Sequence, residues 1–186
     1  LGRAHAHGAR RIVGIEISEE PIRRAPAGVR EHIQREMVEE YRGQGFTVAT
    51  GFQVWEHFSE PAKVMASLRE VLVPGGLIVG VVHDRRAFVN RVMGRKSPLW
   101  DVEHLQLFSR ASVESLVKRS HMRLVGMRHI ANTYAAEYWA RLAPLPPAVK
   151  RPVTALAGSK PFGHKINVRL PVGNLAFVAQ KLTRSA

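Results

Sequence analysis

Residues 46–82 read FTVATGFQVWEHFSEPAKVMASLREVLVPGGLIVGVV, which is an apolar stretch, an amphipathic stretch and a second apolar stretch in succession. The first and the last are rich in β-branched residues and predict buried strands at residues 46–54 and 77–82. Strand, helix and strand joined by short turns are typical of parallel pairing, because the helix carries the chain back across the sheet. This stretch therefore predicts an α/β fold.

The helix within this stretch has recognisable ends. Ser59 is a candidate cap, and Pro61 falls in the first turn, where proline is tolerated. The apolar residues recur at helical spacing and predict one inward face: Val64, Met65, Leu68, Val71 and Leu72. Pro74-Gly75-Gly76 then ends the helix, since proline cannot continue it and glycine accepts a tight turn into the next strand.

Outward from this unit the same alternation continues. Residues 11–17 predict a buried parallel strand, and a helix is expected from Ser109, with Phe108 and Val113 as a hydrophobic staple. Strands are predicted at residues 122–128 and at residues 175–179. Together these elements predict a doubly wound, mostly parallel sheet.

One segment interrupts the alternation before the last strand. Residues 131–165 contain five prolines, preceded by Tyr134, Tyr138 and Trp139. Such a proline-rich stretch is not expected to continue the strand and helix rhythm. We predict a helical or irregular insertion here, and a lid or substrate-side segment at residues 131–170.

Composition sets the class of protein. The 186 residues contain no cysteine, which excludes disulfides and thiolate metal sites, and one domain over residues 1–186 is expected. No apolar run approaches the roughly 20 residues that span a bilayer, so a cytoplasmic location is expected.

The net charge is +13, and residues 105–186 alone carry 13 Lys/Arg against Glu114 and Glu137. This basic excess favours an anionic partner, such as nucleic acid, a phosphorylated or lipid-linked substrate or an acidic membrane surface, although it can also serve solubility alone.

Glu16 follows the apolar strand predicted at residues 11–17 and precedes the helix start at Ser18. In open α/β sheets, ligands bind at the carboxyl ends of the strands, where an acid can bind both hydroxyls of a ribose. An acid in this place can also be a helix cap or a solvated side chain. The position of Glu16 therefore predicts a nucleoside site without proving one.

Four stretches resemble the motifs of class I S-adenosylmethionine-dependent methyltransferases, and they occur in the family's order. Residues 12–25 resemble its second strand and the following helix, and residues 52–61 (FQVWEHFSEP) resemble its fourth-strand motif. Residues 68–79 (LREVLVPGGLIV) resemble the approach to its fifth strand, and Glu103-His104-Leu105 is similar to the segment before a late helix. The resemblance implies a Rossmann-like fold with S-adenosylmethionine as the cofactor.

The same resemblance implies which residues bind the cofactor. Glu16 would hold the adenosine ribose, and the stretch from Gly51 would approach the methionine part. The complete implied set is Glu16, Ile17, Gly51, Phe52, Gln53 and His57.

Candidate catalytic residues are histidines, since methyl transfer needs alignment, exclusion of water and at times removal of a proton. His83 at the end of a strand and His104 are candidate bases for a substrate hydroxyl, and Asp84 is expected to assist either of them. His57 is a further candidate, the alternative being that Glu56 and His57 pair to orient the loop. With nine histidines in the chain, chance placement remains the alternative. No metal site is predicted.

The resemblance fails at the start of the sequence. The family opens with an acid and a glycine-rich turn after its first strand, whereas Leu1 to Gly8 resembles the helix that follows that turn. Residues 29–42 predict a helix where the family has its third strand. We expect the sequence to be a fragment of a longer chain, the alternative being a loss of strong cofactor binding.

Three functions are compatible with these patterns. The first is an S-adenosylmethionine-dependent methyltransferase acting on a small, lipid-linked or glycan acceptor, with possible peripheral membrane contact through the basic lid. The second is a non-catalytic protein of this fold that binds an anionic partner such as nucleic acid. The third is a nicotinamide-dependent enzyme, since both folds use an acid for the ribose, although the order of the motifs argues against it.

Overall fold

The computed structural model describes residues 1–97, 99–100, 102–142, 145–158 and 166–183. The strands are β1 (Gly14–Ile15), β2 (Ile33–Gln34), β3 (Phe46–Phe52), β4 (Leu72–His83), β5 (Met122–Ala135) and β6 (Asn167–Lys181). The α-helices are α1 (Gly2–Ala6), α2 (Glu19–Arg24), α3 (Ala27–Arg30), α4 (Pro61–Val71), α5 (Phe88–Met93), α6 (Arg110–Arg119), α7 (Ala136–Leu142) and α8 (Pro147–Gly158). None of the helices described is long and apolar enough to cross a membrane.

The main sheet has the strand order β3-β4-β6-β5. β3 and β4 are parallel, whereas β6 is antiparallel to both β4 and β5. Three of the four strands therefore run in one direction, and β6 alone is reversed between two of them. This arrangement confirms the predicted α/β class with a mostly parallel, Rossmann-like sheet.

β1 and β2 form a separate, parallel two-stranded sheet, with Gly14 opposite Ile33. A contact between this part of the chain and the main sheet is made by Arg11. Its guanidinium donates a hydrogen bond to the Gln44 carbonyl and lies 4.0 Å from the centre of the Phe46 ring. Each of the two sheets contains a parallel pair, β1 with β2 and β3 with β4, and the carboxyl ends of each pair lie at the same edge of its sheet.

The core lies between the main sheet and helices α4 and α6. It joins the inward residues of α4, of α6 and of the two central strands, and its largest fully buried members are Trp55, Phe177, Met65, Ile78 and Leu175. Burial of such apolar side chains is the main stabilising term in folding. The core therefore holds β4 and β6 in place, and with them the residues at the ends of these strands.

Local signals predicted helices α4 and α6 well. In α6, Ser109 accepts a hydrogen bond from the Ser112 amide, and the Ser112 hydroxyl in turn bonds the Ser109 amide, which forms a capping box. In α4, Pro61 occupies the first turn as predicted, but the residue before the helix is Glu60, so the predicted Ser59 cap is wrong. The helix ends at Val71, ahead of Pro74.

Two predictions near the start of the chain are wrong. The strand predicted over residues 11–17 is reduced to Gly14–Ile15, and these residues are half-buried, not buried as predicted. Residues 29–42 do not form one helix, since α3 ends at Arg30 and β2 follows at Ile33–Gln34. The hydrogen bonds between β1 and β2 replace those that a helix would have made.

The segment before the last strand is partly helical. α7 and α8 lie inside the predicted lid, but residues 131–135 extend β5 and residues 167–170 belong to β6. Residues 159–165 lie outside the described part of the chain. The function of this segment as a lid stays a prediction.

Candidate functional site

The site begins with the turn that follows β3. Trp55 is fully buried, packs edge-on against Phe177 with ring centres 5.6 Å apart, and donates a hydrogen bond from its indole nitrogen to the Gly51 carbonyl. A Cβ on Gly51 would lie only 3.0 Å from that nitrogen. A small residue at position 51 thus lets Trp55 enter the core, and the single helical turn Trp55–His57 places Glu56 inside the protein.

Glu56 is a fully buried carboxylate that is bound to His83. Its Oε1 accepts two hydrogen bonds, one from the His83 backbone amide at 2.5 Å and one from the ring nitrogen Nδ1 at 3.0 Å. Burial raises the pKa of Glu56, but these hydrogen bonds and the charge of a protonated His83 outweigh it, so the pKa of Glu56 lies below its ordinary value. Its second oxygen is buried without a hydrogen-bond partner among the described residues. Glu56 is therefore held as an anion beside His83.

The three predicted catalytic histidines lie together. The His104 ring centre is 5.1 Å from that of His57 and 5.6 Å from that of His83. These residues come from three segments, namely the turn after β3, the end of β4 and the loop before α6. Each histidine was a separate candidate in the sequence, and the structure brings His57, His83 and His104 together; we call them the histidine cluster.

Each ring of the histidine cluster is oriented by an oxygen at its Nδ1. His57 Nδ1 lies 3.0 Å from the Glu103 carbonyl, His104 Nδ1 lies 2.9 Å from the Leu99 carbonyl, and His83 Nδ1 faces Glu56. Carbonyl and carboxylate oxygens only accept hydrogen bonds, so Nδ1 carries the proton in each ring. In the neutral state Nε2 of each ring then carries the lone pair, and that of His83 accepts a hydrogen bond from the Gln53 side-chain amide at 3.3 Å.

Asp84 does not assist His83 or His104, which corrects the prediction made for it. Its Oδ2 lies 2.8 Å from His129 Nε2, and its Oδ1 accepts a hydrogen bond from the Arg86 amide. Because side chains alternate between the two faces of a strand, Asp84 and its neighbour His83 are directed differently. Glu56 likewise pairs with His83 and not with His57.

The residues implied for cofactor binding lie at the ends of β1 and β3. Glu16 directly follows β1, is half-buried, and accepts a hydrogen bond from the Ser18 amide at 2.8 Å through Oε1. Ile17 and Phe52 are exposed, with 57% of each accessible. Gln53 has the left-handed backbone angle φ 54°, and its amide nitrogen lies 3.3 Å from His83 Nε2. The end of β3 therefore presents Phe52 to solvent and turns Gln53 toward the histidine cluster.

Two open grooves of about 360 and 370 Å³ lie elsewhere. One is lined by residues between Glu39 and Val71, and the other lies between the start of α4 and helix α6. Neither is lined by a residue of the histidine cluster or by Glu16. Within the described ranges, no group of three or more His, Cys, Asp or Glu side chains is placed to hold a metal ion. The site is thus a cluster at the sheet edge in which His57 is exposed and His83 and His104 are half-buried.

Two site residues were not predicted from the sequence in their observed roles. For Glu56 the sequence offered pairing with its neighbour His57 as one alternative, whereas its burial and its bond to His83 depend on how the turn after β3 packs. His129 gave no signal in the sequence, because its pairing with Asp84 depends on the alignment of β5 with β6, in which His129 lies opposite Leu175.

Comparison with known proteins identifies the family of the chain. Residues 3–125 match the family model described as a methyltransferase domain. No curated protein matches the sequence.

Solved structures with the same fold share little sequence with the chain. A candidate methyltransferase of Bacillus halodurans has a TM-score of 0.65 at 18% identity, and the alignment covers 98% of this chain and 87% of that one. An S-adenosylmethionine-dependent methyltransferase of Mesorhizobium loti has a TM-score of 0.59 at 15% identity over 97% and 84% of the two chains. The cyclase SpnF has a TM-score of 0.60 at 18% identity over 98% and 71%. At these identities the likeness shows the fold alone, and a cyclase among the neighbours shows that the fold does not fix the reaction.

Proposed function

Because the chain belongs to the family of methyltransferase domains, we propose that it transfers a methyl group from S-adenosylmethionine to a hydroxyl or amine of a small, lipid-linked or glycan acceptor. The observation that carries this proposal is the histidine cluster, whose His83 is oriented by the buried anion Glu56. A carboxylate that orients a histidine is a recurrent arrangement for proton transfer.

The residues at the ends of β1 and β3 fit the proposed cofactor. Glu16 uses only Oε1 in its hydrogen bond to Ser18, so its other oxygen can accept from ribose hydroxyls. The exposed ring of Phe52, at the end of β3, offers an apolar surface for the cofactor. When bound, the cofactor supplies an electrophilic methyl group attached to a sulfonium.

The histidine cluster supplies the proton chemistry. With Nδ1 protonated and bound to Glu56, His83 carries the lone pair on Nε2, and an acceptor hydroxyl reaches it by displacing the exposed Gln53 side chain, whose amide nitrogen lies 3.3 Å away. When Nε2 takes that proton, the imidazolium formed lies 3.0 Å from the Glu56 carboxylate, which stabilises its charge. Glu56 is therefore a positioning residue, and His83 is the base.

Helix α7, followed by α8, begins beyond the same end of the strands as this cluster. His83 at the end of β4 is opposite Asn174, which is also opposite Ile130, and β5 continues for five further residues to Ala135. The aromatic rings of Tyr134, near the end of β5, and Trp139, in α7, have their centres 5.3 Å apart. This placement supports a role for α7 and α8 in covering a bound acceptor.

The first test is titration calorimetry of S-adenosylmethionine into the purified chain. A Glu16→Gln variant should bind about tenfold more weakly or worse, because hydrogen bonds to a charged group contribute about 1.5–3 kcal/mol. Glu19→Gln is the matched control, since Glu19 is exposed and pairs only loosely with Arg35, at 3.6 Å. A folded chain that does not bind the cofactor, or equal affinities of wild type and Glu16→Gln, would contradict the proposed cofactor site.

The second test separates binding from catalysis. His83→Gln should leave cofactor affinity unchanged and lower kcat by about 10²- to 10⁴-fold, the usual contribution of a general base. His129→Gln is the control, since His129 pairs with Asp84 outside the cluster. Release of S-adenosylhomocysteine is measured with a panel of polyol, glycan and lipid-linked alcohol acceptors. Unchanged kcat in His83→Gln would remove His83 from the mechanism.

A further inference from the structure

Helix α5 presents an apolar surface that the rest of the described chain leaves uncovered. Phe88 is 82% exposed and Val92 is 69% exposed, and residues four apart lie on the same helical face. Trp100, a few residues further on, is 59% exposed. Phe88 and Val92 thus form an exposed apolar helix face, and exposed apolar faces on a soluble protein indicate a binding site.

The same segment is strongly basic. Residues 85–100 contain five basic residues and no acidic residue. Four of the arginines are exposed, and no ion pair or hydrogen bond joins their side chains to any residue described: Arg85, Arg86, Arg91 and Arg95. These unpaired cations belong to the same short segment as the exposed apolar residues, and we call the two sets together the α5 surface.

The α5 surface is held in place and is not a frayed end. Asn90, on the inner side of the helix, donates a hydrogen bond to the Asp84 carbonyl at 2.7 Å and accepts one from the Ser97 hydroxyl at 2.9 Å. Gly173 of β6 packs so closely that an added Cβ would lie 2.7 Å from the Cβ of Ala87. The inner face of α5 thus contacts the rest of the protein, whereas Phe88 and Val92 face outward.

We propose that the α5 surface binds the surface of an anionic lipid bilayer. Apolar side chains on one face of a helix, flanked by arginines, are the two components of interfacial binding, in which the rings enter the headgroup region and the cations contact anionic lipids. A nucleic acid would use the arginines but has little use for Phe88 and Val92, and an apolar protein partner would not need four unpaired cations. Both components together therefore favour the bilayer.

This inference goes beyond methyl transfer and does not depend on it. Because α5 follows β4 directly, binding through the α5 surface would place the carboxyl end of β4, with His83, next to the bilayer. A lipid-linked acceptor would then reach the histidine cluster from the membrane.

The test is flotation of the purified chain with vesicles, either of phosphatidylcholine alone or of phosphatidylcholine mixed with phosphatidylglycerol. We expect binding to the mixed vesicles only, and weaker binding at high salt. Phe88→Ser with Val92→Ser should reduce the bound fraction by about tenfold or more, since each buried side chain adds favourable transfer free energy. Val125→Ser is the control, because Val125 is 54% exposed on β5.

The charge component is tested with Arg91→Glu and Arg95→Glu. Each arginine near an anionic surface strengthens binding by about fivefold, so the double reversal should abolish flotation. The matched control is Lys118→Glu with Arg119→Glu at the end of α6, which lies beside the start of β5 and hence at the other end of the sheet. Circular dichroism checks that each variant is folded.

Three outcomes would overturn the proposal. The first is absence of binding to the mixed vesicles. The second is loss of binding in the control variants to the same extent. The third is salt-sensitive binding to single- or double-stranded DNA that requires Arg91 and Arg95, is unaffected by Phe88→Ser with Val92→Ser, and exceeds binding to vesicles.

Discussion

Replacing Glu56 with glutamine isolates the interaction on which the site is built. The substitution keeps the shape of the side chain and removes only its charge and one acceptor oxygen. In the native protein, Oε1 of Glu56 accepts hydrogen bonds from the amide and from Nδ1 of His83. In the Glu56→Gln variant both bonds become neutral ones, and an amide group with two donors replaces the buried, unpartnered Oε2.

The expected loss of stability follows from these two bonds. A hydrogen bond to a charged group contributes about 1.5–3 kcal/mol, against about 0.5–1.5 kcal/mol for a neutral one, so each bond loses about 1 kcal/mol. The neutral amide is easier to bury than the carboxylate, which returns part of this loss, whereas its unpaired NH₂ adds a cost. We therefore expect Glu56→Gln to lower the free energy of unfolding at about pH 7 by about 2 kcal/mol.

The pH dependence identifies the charge as the cause. The folded pKa of Glu56 lies below its ordinary value of 4.5, so the stability it contributes is fully present above that value and is lost as the pH falls toward the folded pKa. Glutamine does not titrate in this range. The difference in stability between wild type and variant should therefore be largest near neutrality and shrink below pH 4.5.

Urea unfolding followed by tryptophan fluorescence measures this difference, because Trp55 is buried beside Glu56. The matched control is Glu60→Gln, since Glu60 is an exposed partner of Lys63 and should change stability by no more than about 0.5 kcal/mol. A destabilisation that stays constant from neutral to acidic pH would show that the added amide donors, and not the lost charge, are responsible. An unchanged stability of Glu56→Gln would refute the reasoning altogether.

Two further predictions concern the scaffold. Ser109→Ala removes the capping box of α6 and should lower stability by about 1 kcal/mol in urea unfolding, whereas Ser115→Ala in the exposed middle of that helix should not. Gly80→Ala should cost about 1–3 kcal/mol or more, because the added Cβ would lie 2.2 Å from Phe177 Cζ. Gly126→Ala, where a Cβ meets nothing within 4 Å, is its control. Equal thermal midpoints for the two alanine variants would contradict the observed close packing.

The elements predicted best from the sequence are those whose signals are local. The capping residue Ser109 and the staple of Phe108 with Val113 fix the start of α6 within a single turn, and Pro61 fixes the start of α4. The α/β order follows from the same local periodicity. Residues 29–42 were predicted wrongly because β2 exists only through pairing with β1, and that pairing joins residues 19 positions apart, Gly14 and Ile33.

The site was predicted in part for a similar reason. Parallel strands place their carboxyl ends together, so the residues after β3 and β4 could be expected near one another. The specific partners could not be predicted, because the pairing of Glu56 with His83 depends on the register that sets Gly51 opposite Gly80 and Phe52 opposite Val81. A shift of one residue would direct His83 to the other face of the sheet. The pairing of Asp84 with His129 depends on strand register in the same way.

The reversed strand β6 also constrains how the protein can be made. Residues 174–180 of β6 pair with β4 on one side, and residues 167–170 and 174–181 pair with β5 on the other, so β6 supplies the backbone hydrogen bonds between β4 and β5 in the described sheet. Until β6 has been synthesised, β4 and β5 each have an edge that lacks its partner strand. Such edges are recognised by chaperones and are prone to aggregation. Completion of the sheet is therefore a late event that depends on contacts distant in sequence, and slow folding is the expected cost.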